Sequence, residues 1–395
     1  MIRINNVILI LCCFLSISIV AEEPVNNFDK ANTIIDFETS KAKTNVSVIQ
    51  PDFHVSGQIN SIVNQFYKLG AANYNSVVTN LQYDYNHISI QAEYDVSSYW
   101  VGSALELTPL ITSISKSSSS LDLRSVIYKS KSQALIGSLK IAAVEYYTAG
   151  GLLSLGIQRL SFGLGKIWRP TDYLASYDGL NTFANDISGY AAIVYTHDMS
   201  SLSQWQLFIA DNYSKTLYQG SYWRFNSHGI DYSGIILNHN KGIMVGGDII
   251  KSFDKTPLTF YGEVALNQWY QKSGLGRRIL IGMDRVINPL LMVSFEGFYN
   301  KNMTENATHN SYLFDYQSSF YLGTILQYQA FTLLSLTNTT IMNTADKSVL
   351  TIPLIRVSIR DNYDAMGGGF FGFGKHNTEF ANFQNYIFCG LHYYY

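Results

Sequence analysis

Apolar and polar residues alternate one by one up to the last residue of the chain, which ends NYIFCGLHYYY. Successive side chains of a β-strand point to opposite faces, so this alternation predicts a terminal strand with one apolar face. That face would carry Ile387, Cys389, Leu391, Tyr393 and Tyr395. A soluble domain more often ends in a polar, frayed tail. The segment therefore predicts either a membrane strand or the buried edge strand of a soluble sandwich.

The same period-two pattern recurs from about residue 55 onward, most clearly at 77–86, 88–97, 258–267, 278–284 and 355–360. Segments of about ten alternating residues, separated by turn residues, are typical of a transmembrane β-barrel. Among structures built from strands, only a closed sheet pairs every backbone group within hydrocarbon. The sequence therefore predicts an all-β fold, a transmembrane antiparallel up-and-down β-barrel, whose last strand closes the ring against the first.

The strand number follows from counting the alternating segments. Up to about twenty candidates are found, which places the barrel at about 16–20 strands. The weakest candidates lie near 103–113 and 218–226, and removing both leaves a best estimate of about eighteen. Longer loops are expected near 163–189, 301–316, 339–347 and 375–384, with short turns near 285–289 and 360–364.

Composition narrows the class of protein further. Charged residues make up 14% of the chain, against roughly 25% in ordinary soluble proteins, and the chain holds 29 Tyr and 22 Phe. A net charge of −2 gives no reason to expect a nucleic-acid partner. No run of 18 apolar residues follows residue 21, which argues against a helical membrane protein. No linker-like segment divides the chain, so one body is expected.

The N-terminus has the layout of a secretory signal peptide. Arg3 precedes an apolar run from Val7 to Ile19, and Ala21 offers a small residue for cleavage. We therefore predict a signal peptide at 1–21, a polar periplasmic lead-in at 22–53 and the barrel at 54–395. Removal of the signal would leave Cys389 as the single cysteine, so no intrachain disulfide is expected.

The most informative internal stretch is GIQRLSFGLGKIWRPTD, residues 156–172. Its apolar residues change face between Ile157 and Leu160, which predicts a β-bulge at the rim of the barrel and an inward Arg159. Gly163 and Gly165 would let the chain leave the wall sharply. Asp172 follows Pro170 and is placed to cap a turn.

This stretch resembles a motif of proteobacterial outer-membrane porin-like barrels, approximately G-R-Q-R, aromatic-Gly-x-Gly and W-x-P-T-D. The positions that match are Gly156, Gln158, Arg159, Phe162, Gly163, Gly165, Trp168, Pro170, Thr171 and Asp172. Ile157 departs from the usual Arg, and Phe162 from the usual Trp. The resemblance implies that loop 163–189 folds into the lumen and narrows it. The alternative is a loop packed at the barrel rim.

The last strand is also similar to the signal by which Gram-negative bacteria assemble outer-membrane barrels. On that resemblance Ile387, Cys389, Leu391, Tyr393 and Tyr395 would be read by the barrel-assembly machinery. The same likeness places the protein in the bacterial outer membrane, with lipid as its surroundings.

Alternation assigns charged residues of both signs to the lumen. The opposite orientation would be unfavourable, because an Arg or Lys facing lipid costs about 2–4 kcal/mol at the midplane. The candidates for pore lining and constriction are Glu93, Asp95, Arg124, Arg159, Lys166, Arg169, Asp172, Glu263, Asp284, Arg356 and Arg360. Such charges either create a field across a watery pore or pair across strands to stabilise the wall. The cations of 159–169 would favour anions locally, and the acidic wall would oppose them.

The function predicted from these features is a porin-like channel for passive diffusion of small polar solutes or ions, without catalysis, cofactor or metal. One alternative is an adhesin or structural barrel that presents surface loops. Another is an outer-membrane hydrolase, for which His197, Asp198, His228 and Asp231 are the nearest candidates. The sequence leaves the solute and the oligomeric state open.

Overall fold

A computed structural model of the chain describes residues 51–66, 70–101, 124–174, 189–211, 216–253, 256–270, 274–301, 318–383 and 385–395. The predicted signal peptide, most of the 22–53 lead-in and the 103–113 candidate strand lie outside these residues. Within them there is no helix long and apolar enough to cross a membrane. The structure is built from strands, and the first begins at Asp52, close to the predicted boundary at residue 54.

Nineteen strands are found within the described residues. Their bounds are β1 Asp52–Phe66, β2 Gly70–Tyr85, β3 Ile88–Val101, β4 Arg124–Lys129, β5 Gln133–Thr148, β6 Gly151–Gln158, β7 Tyr190–Ser200, β8 Ser203–Asp211, β9 Leu217–Ser227 and β10 Ile230–His239. The others are β11 Gly242–Phe253, β12 Leu258–Trp269, β13 Leu275–Asn288, β14 Leu291–Lys301, β15 Phe320–Phe331, β16 Leu334–Asn343, β17 Val349–Arg360, β18 Tyr363–Phe373 and β19 Tyr386–Tyr394.

Eighteen of these strands form a closed antiparallel ring, as the sequence predicted. The ring runs from β1 through β2, β3 and β5 to β19, and β19 pairs back with β1, with Tyr393 opposite Ile59. The short β4 pairs with β5 beyond the point where β6 ends, at Arg124 opposite Ser138. Closure gives each of the eighteen ring strands a paired neighbour on both sides, which is the condition for a sheet in hydrocarbon.

Two details of the predicted strand map are wrong. Residues 218–226 belong to the ring as part of β9. Alternation is weak there because the outward face carries the polar Gln219 and Ser221 between Leu217 and Trp223. The expected loop at 339–347 is mostly strand, since β16 continues to Asn343 and only five residues connect it to β17.

The two faces of the wall carry the residues that alternation assigned to them. Val264 on β12 is 41% exposed on the outer face, whereas the neighbouring Glu263 is 3% exposed on the inner face. Leu81, Ile90, Ile281 and Val357 also lie among the exposed apolar residues. The middle of the outer face is therefore an apolar belt, with outward charges such as Arg277 and Arg285 near the ends of β13, whereas Glu263 and Asp284 point into the ring.

The two ends of the barrel differ. At one end, called here the short-turn end, eight connections of two to four residues join consecutive strands, for example 86–87 and 361–362. The opposite, long-loop end carries the 31 residues of 159–189, the 18 of 302–319 and the 12 of 374–385. The described segments that pack inside the ring, in 159–174 and 374–385, belong to connections at this long-loop end.

The terminal tyrosine locks the seam of the ring. Tyr395 and Gly57 exchange two backbone hydrogen bonds, of 2.9 and 3.0 Å. The Tyr395 ring lies over Gly57, where an added Cβ would approach the phenol oxygen to 2.5 Å. The same phenol group bonds the Thr79 hydroxyl on β2 at 2.8 Å. The strand at the chain end thus pairs with β1 up to its last residue.

The alternation of faces leads to a labelling prediction. In a variant without Cys389, single cysteines at 82, 91 and 356 are expected to react with a membrane-impermeant thiol reagent, because Gln82, Gln91 and Arg356 face the lumen and are at least partly exposed. Cysteines at the outward neighbours 81, 90 and 357 are the matched controls and should stay unlabelled in lipid. Equal labelling of both neighbours in a pair would contradict the register.

Candidate functional site

The connection between β6 and β7 leaves the wall and turns into the ring. The register of β6 is continuous as far as Ile157 with β5 and as far as Gln158 with β7, so the predicted β-bulge is wrong. The change of face between Ile157 and Leu160 arises because the strand ends there. We call the described part of the connection, residues 159–174, the inner loop.

Glu263 on β12 anchors the inner loop from the wall. Its Oε2 accepts hydrogen bonds from the backbone N–H of Leu164 at 3.0 Å and of Gly165 at 3.4 Å. Its Oε1 accepts from the Thr171 N–H at 2.5 Å and the Thr171 hydroxyl at 2.7 Å. An ionised carboxylate accepts hydrogen bonds at both oxygens and donates none. It can therefore bind a loop in which several backbone N–H groups point to one place.

Glu296 on β14 provides a second anchor of the same design. Its Oε1 accepts from the Lys166 N–H at 2.6 Å and from the Tyr261 hydroxyl at 2.9 Å. Its Oε2 accepts from the N–H groups of Ile167 at 3.0 Å and Trp168 at 3.3 Å. Six backbone donors of a non-strand segment thus find acceptors inside the ring, where unpaired polar groups are costly.

Two glycines make this approach sterically feasible. Gly163 has a φ of 92°, and a Cβ there would lie 2.5 Å from the Glu263 carboxylate. A Cβ on Gly165 would overlap the Trp168 carbonyl oxygen. The positions of the two glycines in the motif are therefore set by the turn and by contact with the carboxylate.

Apolar packing covers much of the inner wall with the inner loop. Leu160, Phe162, Tyr173 and Leu174 belong to one buried cluster with residues of β7–β12, such as Phe208 and Met244. On the other side, Trp168 stacks on Phe298 of β14 at 5.2 Å between ring centroids. These contacts place the inner loop against the wall from β7 to β15.

Two of the loop's cations form ion pairs with wall carboxylates. The Arg159 Nη2 lies 2.5 Å from the Glu93 Oε1 on β3, and the Lys166 Nζ lies 3.0 Å from the Asp284 Oδ2 on β13. Lys166 also donates to the Ser294 hydroxyl at 3.1 Å. The predicted positive cluster is therefore spread over two acidic partners on different parts of the ring.

The remaining predicted residues of the loop bond within it. Arg169 donates to the Gly165 carbonyl at 2.9 Å and to the Ser161 hydroxyl at 3.1 Å. Ser161 in turn donates to the buried Asp172 at 2.6 Å. These bonds hold the loop's own shape.

Other predicted lining residues lie apart from the inner loop. Asp95 on β3 pairs with Lys140 on β5 at 2.8 Å. Arg356 lies on the inner face of β17, and Arg360 is exposed at the last position of that strand, at the short-turn end. Arg124 is the first residue of β4. The structure thus brings Arg159, Lys166, Glu93, Glu263 and Asp284 together around one loop and leaves the three other arginines elsewhere.

A second connection, 374–385, also folds against the inner wall. Phe380 is fully buried beside Tyr321 of β15. Glu379 accepts hydrogen bonds from the Tyr321 hydroxyl at 2.8 Å and from Asn343 at 2.6 Å. Tyr321 also lies 6.3 Å from Trp168 between ring centroids. Packing therefore continues from the inner loop to this second segment.

Alternation places Glu296 on the inner face of its strand with Phe298, but the anchoring role of Glu296 and the inward course of the 374–385 segment were not predicted from the sequence. Alternation alone does not distinguish an anchor from a lining residue. The inward 374–385 segment carries no glycine motif like that of the inner loop. One sequence signal could have indicated the anchors. Two inward glutamates, Glu263 and Glu296, occur in a chain whose 159–174 segment lacks strand alternation, so its backbone N–H groups need acceptors other than a neighbouring strand.

No family model matches the sequence, and no curated protein matches it significantly. Solved structures do. OccAB4 of Acinetobacter baumannii superposes with a TM-score of 0.57 at 9% identity, over 88% of this chain and 99% of that chain. OccAB1 of the same organism gives 0.58 at 10% identity, over 91% and 99%. OccK11 (OpdR) of Pseudomonas aeruginosa gives 0.57 at 7% identity, over 87% and 95%. At such identities the likeness shows a shared fold.

Proposed function

We propose that this protein is a passive channel of the bacterial outer membrane for small polar solutes or ions. The observation that carries the proposal is a closed ring with an apolar outside, a charged inside and a loop held inside it by two carboxylates. The solved structures that share the fold are outer-membrane porins. An aqueous lumen is the environment in which inward charges remain hydrated.

The polar sector of the wall is the route that we infer for solutes. Among the described residues, the inner loop packs on β7–β15 and the 374–385 segment on β15–β18. The inner faces of β2 and β3 carry instead polar side chains that are at least partly exposed, namely Asn80, Gln82, Gln91 and Glu93. A solute would therefore pass between this polar sector and the exposed side of the inner loop.

Ion pairing supports weak charge selectivity. Arg159 and Lys166 each face a carboxylate, and Asp95 faces Lys140. Paired charges leave little net field along the route, although they still orient polar solutes. Selectivity would then depend mainly on the width left by the inner loop.

Reversal of one pair gives a direct prediction. The Arg159 side chain is 33% exposed beside Glu93, so Arg159→Glu is expected to shift the zero-current potential in a salt gradient toward cation preference. Arg360→Glu makes the same charge change at the exposed short-turn end and should shift it less. Equal shifts for the two variants would contradict a constriction at Arg159.

Catalysis forms no part of the proposal. In the candidate hydrolase pairs, His228 bonds the Ser227 hydroxyl at 2.9 Å, and Asp231 accepts from Asn226 at 2.9 Å. Asp198 accepts from Gln204 at 3.4 Å. Among the described residues neither histidine bonds the aspartate near it in sequence, so the orientation of a general base is not provided.

Liposome swelling tests the proposal without assuming an ion. Proteoliposomes with the folded barrel are diluted into iso-osmotic sugars of increasing size. We expect swelling that slows as the sugar grows, because passage depends on the width beside the inner loop. The matched control contains heat-unfolded protein. No swelling with any sugar, from protein shown to be folded, would overturn the channel proposal.

A further inference from the structure

Two cations lie opposite each other on the outer wall of the barrel. Arg277 of β13 and Lys301 of β14 form a cross-strand pair. Arg277 shares its face with Ile279 and Ile281, which are 39% and 68% exposed on the outside. Lys301 shares its face with the outward Phe295. Opposed residues on one face of antiparallel strands have Cβ atoms about 4.5–5.5 Å apart, so the two positive side chains are direct neighbours.

Neither cation is neutralised by a carboxylate within the part of the chain that the structure describes. Both side chains are exposed. The ion pairs found there use the carboxylates of Asp52, Glu93, Asp95 and Asp284, and none of them includes Arg277 or Lys301. Like charges directly opposite each other destabilise a sheet. An anion from the surroundings that bridged the two side chains would remove this repulsion.

The pair lies at the long-loop end of the wall, at the edge of the apolar belt. Arg277 is the third residue of β13, and Lys301 is the last residue of β14. Aromatic side chains flank the pair, since Tyr270 follows β12 and is 59% exposed, and Phe320 begins β15 and is 41% exposed. Exposed aromatic residues mark the boundary between hydrocarbon and headgroups, where a charge on the lipid face costs little. Because the longer loops of such barrels face outward from the cell, the headgroups at this depth belong to the outer leaflet.

We propose that Arg277 and Lys301 form a binding site for the phosphate group of an outer-leaflet lipid. The guanidinium of arginine binds two phosphate oxygens at once, and the ammonium of lysine adds a compact positive charge. One phosphate between the two strands would neutralise both cations. The acyl chains of the same lipid would then lie along the exposed Leu266 and Ile279, which follow the pair on the apolar belt. Free phosphate lacks these chains and is expected to bind more weakly. The site is on the outside of the ring and is separate from the proposed solute route.

Native mass spectrometry of the full chain, folded in a neutral detergent, tests the site by counting bound lipids. The probe is phosphatidic acid, which carries a phosphate monoester, and the control lipid is phosphatidylcholine, whose own choline neutralises its phosphate. We expect saturable binding of phosphatidic acid, which inorganic phosphate displaces only at much higher concentration. Arg277→Gln and Lys301→Gln should each weaken it about fivefold, since one cation near a membrane surface contributes an interaction of about that size. Arg285→Gln is the matched control, because Arg285 lies on the same face of β13 at the short-turn end and faces the apolar Leu258 and Val293.

Thermal unfolding gives a second readout, in which the effect of one variant changes sign. Without lipid, Lys301→Gln should raise the melting temperature, because it removes the repulsion from Arg277. With phosphatidic acid it should melt below the unchanged protein, because a ligand stabilises the folded state according to its affinity. Equal weakening of binding by Arg285→Gln, or equal affinity for the two lipids, would overturn the site. Inorganic phosphate that binds as tightly as phosphatidic acid would overturn a lipid as the ligand. Heat-modifiable migration checks that each variant is folded, and neither assay depends on conduction.

Discussion

Replacing Glu263 and Glu296 together by glutamine is expected to turn a quiet pore current into a strongly fluctuating one and to lower the melting temperature of the barrel. Each carboxylate accepts backbone N–H groups at both of its oxygens. An amide places an NH₂ group at one of those positions, and either orientation sets a donor against a donor. An unsatisfied buried polar group costs about 1–3 kcal/mol, and the charge-assisted character of the remaining bonds is lost too.

Single-channel recording in planar bilayers measures the first effect, and thermal unfolding in detergent measures the second. The matched control is Asp248→Asn. Asp248 is an inner-wall carboxylate on β11 that bonds Ser233, and no hydrogen bond of the described residues joins it to the inner loop. Its current should stay quiet. An equally quiet current from the double glutamine variant, with unchanged melting, would show that the inner loop is held by its apolar contacts alone.

Deleting Tyr393 to Tyr395 is expected to reduce folded barrel in the outer-membrane fraction about tenfold or more, because it leaves backbone groups of β1 unpaired at the seam, where hydrocarbon offers no substitute. The deletion removes the backbone exchange between Tyr395 and Gly57 and the pair of Tyr393 with Ile59. Immunoblots of membrane fractions, with and without heating, separate folded from unfolded protein.

Tyr395→Phe distinguishes backbone closure from the phenol contact. It keeps the backbone pair with Gly57 and loses only the hydrogen bond to Thr79, so it should assemble nearly normally. Normal levels of heat-modifiable barrel after the three-residue deletion would contradict the role that we assign to the terminal strand in closure and assembly.

The wall of this protein could be predicted from sequence because a strand that separates hydrocarbon from a polar interior encodes its orientation residue by residue. Val264 and Glu263 show this, because these two consecutive residues face lipid and lumen respectively. The prediction fails where the outer face is itself polar, as at Gln219 and Ser221 in β9. It also fails where a turn is only five residues long, as between β16 and β17.

The site could be predicted only in part. Alternation assigns Glu263 and Asp284 to the lumen, and the glycines of the motif indicate a sharp turn. Which carboxylate meets which loop residue depends on closure of the ring, because Thr171 is 92 residues from Glu263 and Lys166 is 130 from Glu296. No local pattern carries such long-range pairs. The role of Glu296 as an anchor therefore became apparent only from the folded chain.

The proposed channel is tested most directly by the single-channel conductance of the purified barrel, compared with that of a variant in which a short glycine-serine linker replaces residues 160–174. We expect discrete current steps from the unchanged protein. We expect steps about twofold larger or more from the variant, since the width of the pore limits passage. An absence of steps from protein shown to be folded would contradict the channel. Equal steps from the two proteins would contradict an inner loop that narrows it.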